Sequence, residues 1–402
     1  MTLAKQFDER VIMSTVAEPE FFFRKSLGKL SEKKEIEIKQ IENFDYSEWK
    51  ELHKCIYESI GNNARKYNGN LAEKILSIFL NQRIRNGPAC NLTESKEYFI
   101  NNFNNSISSN EPIKIIIPSF PFKLPNPLRN NSRIAGLAEI ASVTQLSGIS
   151  DSIQRVYEPG VEIIIASDGI LYSDLFGVDK SCARNYRDEL KEIIKHLKAP
   201  IKVYDIIEDL VSPFKSQWDD CYKKHLSNLH ASWETIRKKP EVCELARNSK
   251  RNLNLDTLVG NNFVPVHGES TQEEFDYFHD LVYGENISKD ERREVIDQNI
   301  EDFTVGYLAL NYTLRELKVL EKYFSEHLRG TVHPKSGQLG IHLVNKKTQP
   351  VPWAGMGVIR CNGKAKNGFS RVRFWYDIAR EPEKYVELRD KENQVLGYKE
   401  IK

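Results

Sequence analysis

Three polar segments of the sequence combine ionisable side chains with glycine or proline, a composition typical of ligand-binding loops. They read FPFKLPNP over 120–127, SDGILYSDLFGV over 167–178 and HPKSGQLGIHLV over 333–344. Each segment follows a short apolar run or lies close to a long helical pattern. Ligands bind where loops leave the carboxyl ends of strands in an open parallel sheet. The sequence therefore predicts a binding site on these three segments.

The first segment carries a single cation, Lys123, among three prolines. Because prolines restrict the backbone, a rigid loop could present this lysine to a phosphate or a carbonyl group at little entropic cost. A solvated lysine on an ordinary proline-rich turn is the alternative interpretation.

The second segment contains two carboxylates, Asp168 and Asp174, on either side of a predicted turn. These groups could bind sugar hydroxyls, orient an ammonium group, or act as an acid and a base. Two other interpretations stay open at this point: Asp168 could cap the turn, and paired carboxylates could hold a divalent metal.

The third segment offers an imidazole, an amine and a hydroxyl group close together, at His333, Lys335 and Ser336. Histidine titrates near neutral pH, and the following Gly337 would let the backbone approach a ligand. A phosphate-binding loop and an ordinary hairpin turn both fit this composition.

Other basic residues are weaker candidates. His267, in the segment VPVHGES, could act as a further acid or base, with a plain turn residue as the alternative. Arginines pair well with carboxylates and phosphates, although a surface salt bridge is the commoner role of any single arginine. The arginines in question are Arg329, Arg360, Arg371 and Arg373.

The composition limits the class of protein. With 402 residues, 40% of them hydrophobic, the chain can bury a substantial core. The 58 basic and 57 acidic residues nearly cancel, so we expect no nucleic-acid or membrane partner. No secretion signal or membrane-helix run is evident, which predicts a cytoplasmic protein. The six cysteines lack zinc-site spacing, and we expect them to be reduced and mostly buried.

Alternating strand and helix patterns predict the fold class. Short apolar runs at 113–117, 161–166 and 201–206 indicate buried strands, and helical patterns at 136–157 and 180–197 separate them. Strands that alternate with helices form parallel sheets. We therefore predict an α/β protein with a parallel sheet core.

The predicted secondary structure changes along the chain, and these changes suggest domain boundaries. Helical patterns dominate an N-terminal region over 1–105, the predicted α/β catalytic domain covers 106–365, and a C-terminal β-hairpin extension covers 366–402. Within the catalytic domain we expect long helices at 217–247 and 289–328, the second broken near Gly306. Short strands are expected at 340–344, 357–361 and 372–376, and a hairpin over 385–399.

Several common enzyme motifs are absent from the sequence. It contains no GxxxxGK[ST], GxGxxG, GxSxG or HExxH motif. The sequence therefore gives no motif evidence for a nucleotide kinase, a nicotinamide dehydrogenase, a serine hydrolase or a zinc protease.

Taken together and in this order, the three segments resemble the pyoverdine/dityrosine biosynthesis family, which includes bacterial isonitrile synthases and a fungal spore-wall enzyme of dityrosine formation. The resemblance covers roughly residues 113–361. It implies a Rossmann-like core and a lyase-type reaction between an amino acid, typically tyrosine or tryptophan, and ribulose 5-phosphate. The amine would condense with the sugar ketone, and sugar C2 would become the isonitrile carbon.

The resemblance also implies roles for the candidate residues. His333, Asp168 or Asp174 would transfer protons, and Lys123 or Lys335 would supply positive charge for the phosphate. Further substrate contacts would come from Ser336, Arg329, His267 and Trp353. The implied reaction needs no cofactor or metal, because the sugar phosphate is itself the carbon source, and a downstream oxygenase often acts on such products.

One departure from the family pattern concerns the turn after Trp353. The family often has a histidine there, whereas this chain has Ala354. Ala354 leaves open a non-catalytic protein that binds a sugar phosphate or an amino acid. The fungal branch of the family leaves open a second alternative, an enzyme that forms an N-formyl amino acid such as N-formyl-tyrosine.

Overall fold

The structure is a computed structural model of the chain. It describes residues 38, 40–44, 49, 69–81, 92–124, 129–176, 178–253, 289–332, 337–344, 351–360, 369–379 and 381–401.

Two five-stranded sheets and a set of helices make up the described part of the chain. The strands are β1 (Ile41–Asn43), β2 (Ile113–Pro118), β3 (Val161–Ser167), β4 (Ile201–Asp205), β5 (Leu328–Thr331), β6 (Leu339–Gly340), β7 (Met356–Arg360), β8 (Phe369–Arg373), β9 (Tyr385–Arg389) and β10 (Val395–Glu400). The α-helices are α1 (Leu71–Asn81), α2 (Leu92–Ser109), α3 (Leu137–Gln154), α4 (Gly169–Tyr172), α5 (Lys180–His196), α6 (Lys215–Ala231), α7 (Trp233–Ile236), α8 (Pro240–Leu253), α9 (Lys289–Glu316), α10 (Val319–Phe324) and α11 (Trp375–Ala379).

The central sheet has the strand order β4-β3-β2-β5-β6, and every neighbouring pair is parallel. The chain moves outward from β2 to β4 and then returns to the other side of β2 as β5. This reversal creates a switch point between β2 and β5, where doubly wound sheets bind their ligands. The predicted α/β fold with a parallel core is confirmed, and the strand order is consistent with the Rossmann-like description.

Alternate residues of the central strands pack against helices on opposite faces of the sheet. Ile115 and Ile163 belong to a core that includes α3 and α5, whereas Ile116 and Ile164 belong to a core that includes α6, α9 and α10. We call these the α3 face and the α9 face. Because both faces are buried, the middle residues of β2 and β3 are continuously apolar rather than alternating.

Helix α3 lies between the two sheets and is buried on nearly all sides. A helix in such a position cannot have a polar face. Many of its polar side chains are small serines and threonines, and several of them hydrogen-bond within the helix itself. Ser142, Thr144 and Ser152 donate to carbonyl oxygens four residues earlier, at 2.9, 2.7 and 2.7 Å.

The second sheet, of order β1-β9-β10-β7-β8, contacts the start of α3 through glycines. A Cβ atom on Gly357 of β7 would lie 2.4 Å from the backbone nitrogen of Ala138, and one on Gly136 would lie 2.2 Å from the carbonyl oxygen of Leu396. Only glycine permits backbones to approach this closely. These contacts fix the position of the first turn of α3.

Some element boundaries differ from the sequence predictions. Helix α9 continues through Gly306, where a Cβ atom would lie 2.6 Å from Leu175 Cδ2, so this glycine permits close packing and the predicted break is wrong. The predicted strand over 340–344 shortens to β6, and that over 372–376 is divided between β8 and α11. The predicted helix over 217–247 is three helices, α6, α7 and α8.

The C-terminal hairpin is confirmed as β9 and β10, which pair antiparallel. Strand β7 pairs with both β8 and β10, so the predicted boundary between residues 365 and 366 falls inside one sheet. The pairing makes the hairpin part of the sheet that contacts α3.

Two further sequence expectations concern membrane helices and cysteines. Among the helices that the structure describes, none combines the length and the apolar character needed to cross a bilayer. Cys182, Cys221 and Cys243 are free thiols, as expected. Of these three, Cys221 alone is buried, so the expectation of mostly buried cysteines is wrong for the other two.

We expect Gly357→Ala to lower the free energy of unfolding by about 3 kcal/mol, because the added methyl group would collide with the backbone of α3 rather than with a movable side chain. Gly160→Ala is the control. Its Cβ atom would meet Gln154 at an ordinary 3.6 Å, so its cost is limited to about 1 kcal/mol from its positive φ. Urea unfolding of both variants measures the difference, and equal losses would contradict the close contact.

Candidate active site

Lys123 is buried in the loop that follows β2, and all three of its donors are used within the protein. Its Nζ lies 2.8 Å from Glu139 Oε1 and donates to the carbonyl oxygens of Pro352 at 2.9 Å and Gly355 at 3.0 Å. Burial lowers the pKa of Lys123, and the charge of Glu139 opposes this effect. An ammonium group has three N–H donors. These contacts favour a positioning role, while the predicted contact of Lys123 with phosphate stays untested.

Glu139 connects this loop to two helices. Its Oε2 accepts a hydrogen bond from the Gly136 backbone at 2.8 Å, which closes the first turn of α3, and its Oε1 accepts one from the Tyr186 hydroxyl of α5 at 2.9 Å. Burial, followed by the charge of Glu139, raises the pKa of Tyr186. Sequence reasoning missed Glu139, although a glutamate three residues after a helix start is a known capping signal.

The loop after β2 also packs against the turn at Pro352–Ala354. The Leu124 backbone donates to the Trp353 carbonyl at 2.9 Å, and the Phe120 ring meets the Trp353 ring edge-on, with centroids 5.3 Å apart. Phe120 is fully buried with a φ of 61°. Half-buried Trp353, a predicted substrate contact, therefore lies beside the first predicted segment. Ala354 is buried in this turn.

The first two predicted segments touch each other. Ser167 Oγ donates to the Phe120 carbonyl at 3.0 Å, and a Cβ atom on Gly169 would lie 2.1 Å from the Pro121 carbonyl oxygen. The glycine after Asp168 is thus required by the close approach of the neighbouring loop. The structure brings these segments together at the carboxyl ends of β2 and β3, as the sequence predicts.

Asp168 follows the end of β3, and one oxygen of its carboxylate has no hydrogen-bond partner among the described residues. Its Oδ1 is shielded from solvent and forms no hydrogen bond to any described group. Burial raises the pKa of Asp168 to about 7, a hydrogen bond from its own backbone N–H and the charge of Arg329 oppose this, and the nearby charge of Asp205 adds to it. Its side chain makes no capping hydrogen bond to α4, so the capping interpretation is wrong. A carboxyl group with this pKa can both donate and accept a proton at neutral pH.

Two tyrosines and an amide lie beside Asp168 on the α9 face. The rings of Tyr172 and Tyr307 stack with centroids 5.1 Å apart, and Asn311 Nδ2 donates to the Tyr172 hydroxyl at 3.4 Å. Burial raises the pKa of both tyrosines, and the charge of Asp168 adds to the shift in each. Sequence reasoning missed Tyr307 and Asn311, because both lie on α9, whose aromatic residues look like ordinary core.

Arg329 provides positive charge on the same face. It lies on β5 in register with Ile116, is exposed, and lowers the pKa of Asp168 and Tyr307 through its charge. Within the part of the chain that the structure describes, the Arg329 side chain forms no hydrogen bond or ion pair. Its guanidinium group is therefore available to an anionic ligand.

The neighbouring Asp205 has a different role. Its Oδ1 accepts hydrogen bonds from the backbones of Ile207 at 2.8 Å and Glu208 at 2.9 Å, and its Oδ2 lies 3.6 Å from Arg187 Nη1. Asp205 therefore caps the turn after β4, and its carboxylate is occupied.

Asp174 does not join Asp168. It is exposed, and its Oδ2 lies 3.1 Å from Lys180 Nζ. This is a surface ion pair in water, which contributes little to stability. The two carboxylates of the second segment therefore have different surroundings, and the predicted catalytic role of Asp174 has no geometric support here.

The arginines of the second sheet form internal contacts. Arg360 and Arg371 pair with Glu400 at 3.1 and 2.8 Å, and Arg373 donates to the Tyr385 hydroxyl. The salt-bridge interpretation is confirmed for the first two.

Four predicted site residues, His267, His333, Lys335 and Ser336, lie outside the described residues. Their roles stay predictions.

Comparisons with known proteins show which family the chain resembles in sequence. A family model described as "Pyoverdine/dityrosine biosynthesis protein" matches residues 103–369. An L-tyrosine isonitrile synthase of Xenorhabdus nematophila is 26% identical over 261 residues, covering 62% of this chain and 69% of that protein. An L-tryptophan isonitrile synthase of Fischerella ambigua is 24% identical over 263 residues, covering 61% and 70%.

The fold is also similar to a solved structure. The crystal structure of the PvcA protein from Pseudomonas aeruginosa aligns with a TM-score of 0.62 and 21% sequence identity, covering 82% of this chain and 99% of that one. At this identity, the likeness supports the fold alone.

We expect Glu139→Gln to lower the free energy of unfolding by about 3–5 kcal/mol, because it leaves the buried ammonium group of Lys123 without its counter-charge. Glu326→Gln is the matched control. Glu326 forms an exposed ion pair with Lys114, so its loss should cost at most about 1 kcal/mol. Urea unfolding compares the two variants. If both lose a similarly small free energy of unfolding, the buried ammonium group of Lys123 does not need the charge of Glu139.

Proposed function

Because the chain belongs to the pyoverdine/dityrosine biosynthesis protein family, we propose that it is an isonitrile synthase. It converts the α-amino group of an amino acid to an isonitrile, with ribulose 5-phosphate as the carbon donor. L-tyrosine and L-tryptophan are the proposed substrates, since relatives named for these activities match the chain.

The observation that carries this proposal is the shielded carboxyl group of Asp168, with its pKa raised to about 7. Condensation of an amine with a ketone gives a carbinolamine, which must gain a proton on oxygen before water can leave. The amine nitrogen must also lose protons. A group that titrates near neutral pH is suited to both transfers.

The negative charges of the two proposed substrates are a second argument for this function. The amino acid carries a carboxylate and the sugar carries a phosphate, and both suit a guanidinium group. Arg329 is the proposed anchor for one of them, because it is unpaired among the described residues and lies on the same face as Asp168. Lys335 and Ser336 are proposed for the phosphate, and His333 for a second proton transfer.

An aromatic amino acid also fits the surroundings of Asp168. Tyr172 and Tyr307 form a stacked pair there, and Asn311 adds an amide next to their hydroxyl groups. Aromatic rings favour stacked or edge-on contacts with one another, so these side chains are proposed to bind the substrate ring. His267 and Trp353 stay further proposed contacts.

We expect Asp168→Asn to lower kcat/KM by about 100- to 10,000-fold, because the proton-transfer group is lost. The wild-type pH profile should show an ionisation near pH 7 that the variant lacks. Asp219→Asn, which changes an exposed partner of Lys215, is the control and should keep wild-type activity. Steady-state assays over pH 5–9 test this, and an unchanged profile in Asp168→Asn would remove Asp168 from the mechanism.

Unfolding measurements separate this role from a structural one. The pKa of Asp168 is raised in the folded state, so the folded protein binds more protons than the unfolded chain between about pH 4 and 7. The contribution of Asp168 to stability is therefore lost as pH rises through this range. Asp168→Asn should be at least as stable as wild type at pH 8. A large loss of stability there would show that the Asp168 carboxylate has a structural role.

The reaction itself is tested with ribulose 5-phosphate labelled with carbon-13 at C2. Purified protein is incubated with this sugar and with tyrosine or tryptophan in parallel, and NMR should reveal a labelled isonitrile carbon. Mass spectrometry before work-up distinguishes isonitrile from formamide, and a formamide would favour the N-formyl alternative. Binding of the sugar without turnover of either amino acid would contradict the proposal.

A further inference from the structure

We propose that Cys221, His225 and Glu316 form a binding site for a transition-metal ion of the zinc class, separate from the candidate active site. Cys221 and His225 lie on α6, and Glu316 is the last residue of α9. One ligand atom from each residue lies within 4.8 Å of the others. The proposal does not depend on the proposed isonitrile synthase activity.

The arrangement of the two ligands on α6 suits a metal ion. Residues four apart on a helix lie on one face, so the Cys221 thiol and the His225 imidazole point in the same direction. The Cys221 side chain is buried and forms no disulfide. Two ligand atoms are therefore pre-positioned by a single element.

The His225 imidazole lies against the Glu316 carboxylate. Its Nε2 is shielded from solvent and lies 2.8 Å from Glu316 Oε2. The Cys221 thiol, four residues earlier on the same helix face, completes the cluster. A metal ion between the imidazole, the thiolate and the carboxylate would bind all three.

Only a small adjustment is needed to form the site. Tetrahedral zinc places its ligand atoms about 3.3–3.7 Å apart, given its usual bond lengths to nitrogen, oxygen and sulfur. The Glu316 side chain is 44% exposed and can rotate to reach this spacing.

The chemistry of the ligands selects the metal. Thiolate and imidazole bind Zn²⁺ and similar ions such as Co²⁺, whereas Mg²⁺ and Ca²⁺ require oxygen ligands. Three protein ligands would leave one coordination position for water. Lys224 competes for the same carboxylate, since its Nζ lies 3.0 Å from Glu316 Oε1.

The bound ion would clamp the end of α9 to α6. Helix α9 also carries Tyr307 and Asn311, which contact Tyr172 beside Asp168. The metal would therefore restrain the helix that forms one wall of the candidate active site. The spacing of the cysteines in the sequence does not indicate this site, because the third ligand comes from a helix distant in the chain.

The test uses the full-length, metal-free protein without a polyhistidine tag, titrated with Co²⁺. We expect one equivalent to produce both the visible absorption of a four-coordinate cobalt ion and the near-ultraviolet charge-transfer band of a thiolate ligand. Cys221→Ala should abolish that band, and His225→Ala and Glu316→Gln should each weaken binding at least about tenfold. Cys182→Ala and Cys243→Ala are the matched controls and should keep the band.

Two further variants keep the proposal testable if Cys221→Ala does not fold. Zn²⁺ should raise the melting temperature of the wild-type protein but not that of Glu316→Gln, which changes an exposed side chain. Lys224→Met should bind Co²⁺ more tightly than wild type, because no ammonium group competes for the carboxylate. Absence of the charge-transfer band in wild type, or its survival in Cys221→Ala, would overturn the proposal.

Discussion

The ion pair between Lys123 and Glu139 is buried at the point where the loop after β2, the start of α3 and the turn at Pro352–Ala354 meet. Removing two charges from water is costly, and their attraction offsets that cost only when further hydrogen bonds satisfy both groups. Here Glu139 also accepts from Gly136 and Tyr186, and Lys123 also donates to two carbonyl oxygens. The loops around the switch point can adopt their positions only if all of these contacts form together.

Buried charged side chains have different surroundings on the two faces of the central sheet. On the α3 face, Lys123 and Glu139 satisfy each other, and the result is a rigid support. On the α9 face, one oxygen of the Asp168 carboxylate has no partner among the described residues, and burial raises the pKa of this group into the neutral range. Groups with perturbed pKa values in such positions are characteristic of functional sites. One edge of the sheet therefore carries both a buried ion pair with its hydrogen bonds formed, Lys123 and Glu139, and a carboxyl group with an unpaired oxygen, Asp168.

Helix α9 contributes residues to both proposed sites on the α9 face. Its residues Tyr307 and Asn311 line the surroundings of Asp168, Gly306 lets Leu175 pack closely, and Glu316 reaches the Cys221 thiol of α6. A change at the end of this helix can therefore affect the candidate active site without touching the substrate. Close packing transmits such changes because buried elements have few alternative arrangements.

Local patterns in the sequence determined the parallel α/β core, the positions of the central strands and the loops that form the site. Apolar runs and helical periodicity depend on nearby residues, so they can be recognised without a structure. The family resemblance likewise depended on motif order. The contact between the first two predicted segments followed directly, because parallel strands end at one edge of the sheet.

Only the tertiary structure distinguished residues of the same type. Asp168 and Asp174 lie in one segment, yet burial separates a carboxyl group that titrates near neutral pH from an exposed one paired with Lys180. Lys123 looked like a free cation until its three partners were known. Burial and pairing depend on residues distant in the chain, such as those of α3, α9 and β7, and no local pattern encodes which of them will meet.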